Sequence, residues 1–109
     1  MGQENPQAAL ELLILKTLAA GPNHGFGIAL HIEETSSALL RVEEGSLYPA
    51  LHRLELRGEV RSEMTPSENN RRARVYTITP QGRKRLTKET ETWEAFALSM
   101  RRILREGRS

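Results

Sequence analysis

Glu44-Gly45-Ser46-Leu47-Tyr48-Pro49-Ala50-Leu51-His52-Arg53-Leu54, then Gly58, then Arg71-Arg72-Ala73-Arg74-Val75-Tyr76-Thr77-Ile78-Thr79: these stretches decide the architecture of this 109-residue chain. Ser46 is placed to cap a helix. Pro49 then falls at the third helical position, where its missing N–H removes no intrahelical bond. Leu47, Ala50, Leu51 and Leu54 recur at spacings of three and four and form the inward face. Tyr48, Pro49, His52, Arg53 and Leu56 point elsewhere. Gly58 suits the left-handed position that closes a helix. Residues 60–65 and 74–79 alternate as paired strands, joined by the polar, turn-rich Pro66-Ser67-Glu68-Asn69-Asn70.

Upstream, Asn5-Pro6 reads as an N-cap with proline at the first helical position. The helix that follows carries Leu10, Leu13, Ile14, Leu15 and Leu18, more apolar positions than one core stripe needs, which predicts a second buried face. Gly21-Pro22 stops it. Asn23 caps a second helix over 24–35, with Phe26, Ile28, Leu30 and Ile32 inward. Residues 39–42 suggest a short strand. Thr79-Pro80 repeats the cap-plus-proline signal and opens a last helix to about residue 106, on the order of 40 Å long at about 1.5 Å per residue. The expected fold is mainly α with a small β-wing (α+β). A winged helix-turn-helix occupies residues 1–79, and a carboxy-terminal dimerisation helix, residues 80–109, belongs to the same compact unit.

The net charge is only +2, but it is unevenly spread. Residues 1–40 hold one lysine and four glutamates; residues 41–85 hold ten Lys/Arg and six glutamates. Between Arg71 and Arg85 there are six basic residues and no acid. A local basic stripe in a nearly neutral chain is an electrostatic footprint for a polyanion. With no cysteine and no aspartate, a disulfide framework, a thiolate site and most triads are excluded. His24 and His31 share a helix face but lie two turns, roughly 10 Å, apart, too far to hold one zinc at about 2 Å from each nitrogen. Neither catalysis, nor a metal, nor a cofactor is expected. No apolar run approaches membrane-spanning length and the amino terminus lacks a signal-peptide pattern, so a cytoplasmic location is expected.

Ser46, Tyr48, His52 and Arg53 offer donors to phosphate oxygens or base edges of double-stranded DNA, His52 and Arg53 being the better candidates for bases. Arg71, Arg72 and Arg74 sit where the ribbon tip can follow a backbone or enter a narrow minor groove. In the last helix Leu86, Trp93 and Met100 share one heptad position, Glu89, Phe96 and Ile103 another, and Thr90, Ala97 and Leu104 flank it. From Trp93 onward the stripe suits association with a second copy, and Leu10 and Leu13 would cover what remains. A twofold dimer would present two reading helices about one DNA turn, on the order of 34 Å, apart. The alternative is a winged helix that docks on an acidic protein surface, separable by the salt and sequence dependence of duplex binding.

The chain resembles the PadR family over about residues 8 to 106. The resemblance is carried by His24-Gly25-Phe26-Gly27, by residues 45–54, by Gly58, and by Arg74-Val75-Tyr76-Thr77-Ile78-Thr79-Pro80-Gln81-Gly82. It implies a bacterial transcriptional regulator, usually a repressor, acting as a homodimer, with the length of the short subfamily. It further implies that Ser46, Tyr48 and Pro49 contact DNA, as do Asn70, Arg71 and Arg72 of the wing. In drug-responsive relatives a tryptophan placed like Trp93 lines a pore between subunits and stacks on flat ligands, which makes an aromatic or drug-like effector a candidate partner; the alternative for Trp93 is a dimer-core aromatic. Phe26 stands where tyrosine is common in the family, and Val75 where the first of two adjacent tyrosines is usual.

Overall fold

The structure is a computed structural model and describes residues 6–66 and 72–106, without the side chain of Arg72. In chain order the elements are α1 (Pro6–Ala19), β1 (Asn23–His24), α2 (Gly25–Thr35), α3 (Glu44–Leu56), β2 (Val60–Pro66), β3 (Arg72–Ile78) and α4 (Pro80–Arg105). The strands form one antiparallel sheet in the order β1-β3-β2. Its register runs from Val60 opposite Ile78 to Pro66 opposite Arg72, and on the other edge Asn23 faces Tyr76. This is the expected mainly helical winged fold. Among the described residues no helix is long and apolar enough to cross a membrane.

The core lies between α1, α2, α3 and the root of the wing. Ile14, Leu15 and Leu18 of α1 meet Ile28 and Ile32 of α2, Leu47, Leu51 and Leu54 of α3, and Val60, Tyr76 and Ile78 of the sheet. Each fully buried branched side chain contributes about 1.5–3 kcal/mol, so the face of α3 bearing Leu47, Ala50, Leu51 and Leu54 is fixed inward, as its spacing predicts. The entry to α4 is equally fixed. The Thr79 hydroxyl caps the helix by accepting from Gly82 N at 3.1 Å and donates to the Gly58 carbonyl at 2.7 Å. Gly58 has φ +74°, the left-handed conformation expected of it. Gly82 presses against the Glu59 carbonyl so closely that a Cβ there would overlap it.

Three local expectations fail. The α2 helix begins at Gly25 and is capped by His24, whose Nδ1 accepts from Gly27 N at 3.1 Å; Asn23 instead accepts from His24 N. From that start Gly25, Ile28 and Ile32 share the buried face, which turns Phe26 and Leu30 outward, Phe26 to 69% exposure. Residues 39–42 form no strand. Ser37 and Ala38 adopt left-handed φ of 54° and 66°, Ala38 N bonds back to Glu33 O, and Leu40 N bonds to the Ser36 hydroxyl. One edge of β3 is taken by Asn23 and His24.

Candidate nucleic-acid interface

The helix α3 starts three residues earlier than its sequence suggests. Glu43, not Ser46, is the N-cap, and it makes no side-chain cap bond. Its carbonyl accepts from Ser46 N at 3.0 Å and Leu47 N at 2.9 Å. An acid in the first turn, Glu44, favours the helix dipole, which helps nucleation begin there. Ser46 therefore lies within the first turn, and Pro49 is inside the helix. The missing N–H of Pro49 leaves the Gly45 carbonyl without its intrahelical donor. Both residues are on the exposed side.

That exposed side holds most of the expected contacts. Ser46, Tyr48, Pro49 and His52 are all solvent-exposed while their neighbours toward the core are buried. Tyr48 lies over the start of α2: a Cβ on Gly25 would come within 2.7 Å of its hydroxyl and 2.8 Å of its ring. Glycine at 25 is what lets the ring settle there. Leu56, at 74% exposure, stands on the same outer side.

Arg53 differs from the others. Its Nε donates to Glu11 Oε2 at 2.6 Å, and its side chain is only 28% exposed. Glu11, from α1, is 3% exposed and collects two further arginines on Oε1, Arg57 at 2.7 Å and Arg85 at 2.9 Å. Arg85 also donates to Glu59 at 2.7 Å and lies 3.7 Å from Glu89. Burial alone would raise the Glu11 pKa, but hydrogen bonds from Arg53, Arg85 and Arg57 outweigh it and hold the carboxyl below its ordinary range. For Arg85 burial favours the neutral form, and Glu59 and Glu11 more than offset it, raising its pKa. Sequence reasoning passed over Glu11, Arg57 and Arg85. The available signal was the placement of Glu11 one turn before Ile14 and Leu15, on the stripe that goes to the core.

On the wing, Arg74 is exposed and its Nη1 donates to the Ser62 hydroxyl at 2.9 Å; Ser62 in turn donates to Glu55 of α3 at 2.8 Å. The wing root is thus keyed to the helix beside it. Arg72 pairs with Pro66 in the ribbon, and Asn70 and Arg71 lie outside the described residues.

Helix α4 extends well past the core, and the molecule measures 62 Å along its longest axis. Met100, Ile103 and Leu104 are exposed, the last at 71%, and Ala97 is exposed beside them. Trp93 and Phe96 are half-buried and meet edge to face at 5.7 Å. Leu10 and Leu13 are half-buried against the core. An open cavity of about 620 Å³ lies between α1 and α4, lined by Leu12, Leu13, Leu86, Thr90, Trp93 and Ala97 among others.

Comparison with known proteins converges on one family. The model of the transcriptional regulator PadR-like family matches residues 14–88. The chain is 39% identical over 95 residues to the transcriptional regulator Rv3488 of Mycobacterium tuberculosis, covering 87% of this chain and 85% of that protein. It is 42% identical over 82 residues to a 37.1 kDa protein in transposon TN4556 of Streptomyces fradiae; the match takes in 75% of this chain but spans only 22% of that protein. Among solved structures, a transcriptional regulator from Clostridium thermocellum superposes with a TM-score of 0.77 at 30% identity, over 84% of this chain and 89% of the other. Bacillus subtilis PadR, solved in complex with operator DNA, shares the fold with a TM-score of 0.68 at 24% identity, over 73% of this chain and 45% of its own. An uncovered helix face, a keyed basic wing and these likenesses lead to one conclusion: the chain belongs to the PadR-like family of transcriptional regulators.

Proposed function

We propose that this chain is a homodimeric, sequence-specific DNA-binding repressor that acts in the cytoplasm on a promoter operator and is released by an aromatic or drug-like small molecule. The observation that carries this reading is the bare outer side of α3, where Ser46, Tyr48, Pro49 and His52 stand exposed beside a wing root bearing Arg74. Such a helix fits a major groove, and the wing arginines Arg71, Arg72 and Arg74, with Asn70, suit the flanking backbone. Arg53 is held to Glu11 through its Nε and lines a surface groove with Gly45, Ser46 and Pro49, so it supports the helix and stands beside the face offered to the duplex. The operator complex of the Bacillus subtilis PadR supports the same use of the fold here. The uncovered apolar end of α4 supports pairing with a second copy through Trp93, Phe96, Ala97, Met100, Ile103 and Leu104, with Leu10 and Leu13 alongside. The cavity beside Trp93 supports the effector.

The test is retention of genomic fragments by the purified protein, followed by sequencing and by titration against salt. A preferred duplex, bound with a steep inverse dependence on salt, is expected. Indifference to sequence at every salt concentration would instead identify a docking module for acidic protein surfaces.

A further inference from the structure

Among the described residues Glu11 is the most deeply buried charged group, with Glu59 buried nearby, and its carboxylate does more than neutralise a neighbour. Its two oxygens hold three guanidinium groups from two other helices and the turn after α3: Arg53 at 2.6 Å, Arg57 at 2.7 Å and Arg85 at 2.9 Å. A core of this size needs no such cluster for stability, because a buried ion pair is often no better than well-packed apolar residues. What the cluster does supply is direction. Charge-assisted bonds to both carboxylate oxygens fix angle as well as distance. The three arginines also lie at points that matter: Arg53 inside α3, Arg57 at its end, and Arg85 in the second turn of α4.

The next residues along the chain are Leu12 and Leu86, and both line the cavity between α1 and α4. Anything that pushes those helices apart at Leu12 and Leu86 must also change the Glu11–Arg85 separation. Arg85 is braced on its far side by Glu59 at 2.7 Å, so the displacement falls on the Glu11 bonds to Arg53 and Arg57 rather than being absorbed by Arg85. Packed cores respond to such displacements by switching between arrangements rather than by deforming smoothly.

We infer that Glu11 is a positioning residue for α3, joining the angle of that helix to the state of the α1–α4 cavity. The inference rests on the reading of α3 as the DNA-contacting helix only for its functional meaning; the mechanical link stands or falls separately.

The experiment uses the full chain and needs no identified effector. Thr90→Phe places a ring in the cavity. Amide hydrogen exchange then reports on α3 at Leu51 to Leu54, in the wild-type background, with Glu11→Gln, and with Arg85→Met. The Arg85→Met variant keeps Glu11 paired with Arg53 and Arg57, so it serves if Glu11→Gln does not fold. In the wild-type background Thr90→Phe is expected to change α3 exchange by about fivefold or more, the lower end of coupling between sites, and by less than about twofold when either link is cut. Equal changes in all backgrounds, or none in the wild type, would overturn the inference, since a merely structural cluster lowers stability without removing the response. Duplex affinity, measured on the same proteins, separates the two readings. Coupling in a protein that retains no duplex defeats the DNA assignment alone; duplex binding without coupling defeats this inference alone.

Discussion

Gly25→Ala separates the stability of this fold from its recognition of DNA. The added methyl would meet the Tyr48 hydroxyl at 2.7 Å, Cε1 at 2.8 Å and Cζ at 3.0 Å. Ordinary contact distances require the ring to withdraw by roughly 0.7 Å. The obstacle is the far end of a side chain that is 45% exposed, so the ring can swing toward solvent. Moving it off its preferred rotamer costs about 1 kcal/mol, and alanine in place of glycine at a φ/ψ it can adopt returns about 0.4–1 kcal/mol by restricting the unfolded chain. Gly25 does not have positive φ, so no backbone strain is added. The thermal midpoint should move by only a few degrees. Duplex binding should respond differently, because under the proposed function the displaced hydroxyl would miss the phosphate oxygen to which it offers a donor. A hydrogen bond to a charged partner is worth about 1.5–3 kcal/mol. A loss of about 1.4 kcal/mol per half-site is tenfold, and about a hundredfold for a dimer on both half-sites. The assay is a melt and an operator titration on Gly25→Ala, Tyr48→Phe and the double variant. The losses should not add, because both act on one hydroxyl. Additive losses, or unchanged affinity in Gly25→Ala, would refute the role assigned to the Tyr48 ring.

Three further outcomes are expected. Gly82→Ala drives a methyl into the Glu59 carbonyl, with Ile78 Cγ1 at 2.8 Å; the unfolding free energy from denaturant titration should fall by about 3 kcal/mol, whereas Gly45→Ala, with open space around it, should be neutral or slightly stabilising. The pKa of Glu11 lies below its ordinary 4.5, so its stabilisation is complete above that pH and fades as pH falls through the folded value; melts from neutral to pH 3 should show wild type losing stability over that interval, and Glu11→Gln, weaker at neutral pH, losing less of it. Ile103→Glu with Leu104→Glu should convert a dimer to a monomer in sedimentation without altering the helical signal of the winged domain, and an unchanged mass would remove α4 from the interface.

The parts of the fold set by local rules were legible from the sequence. The inward face of α3 follows from its three-and-four spacing, and the start of α4 from Thr79-Pro80. Gly58 and the ribbon follow from turn chemistry and alternation. The misplaced features depended on long-range facts. Two residues, Asn23 and His24, become a strand only because β3 offers them an edge. The cap of α3 was read from the best capping side chain, Ser46, yet helix formation began upstream at Glu43 without a side-chain bond. Phe26 reads as an inward residue of a helix capped by Asn23, but the register that starts at Gly25 turns it out. Glu11 counted only as charge in the sequence. Its role depends on Arg53, Arg57 and Arg85, residues 42 to 74 positions away, meeting at one carboxylate. Of the candidate interface, the outer residues of α3 were foreseen, but the engagement of Arg53 with Glu11 beside that surface was not.

The meeting of those four side chains also limits how such a chain can drift under mutation. Losing the acid leaves three partly buried guanidinium groups facing one another with no counter-charge between them, and losing one arginine leaves the remaining bonds to share an altered geometry, so single replacements at positions 11, 53, 57 and 85 are each penalised while joint replacement by apolar residues need not be. Relatives should therefore keep the quartet intact or lack it altogether, and chains caught between those two conditions should be scarce.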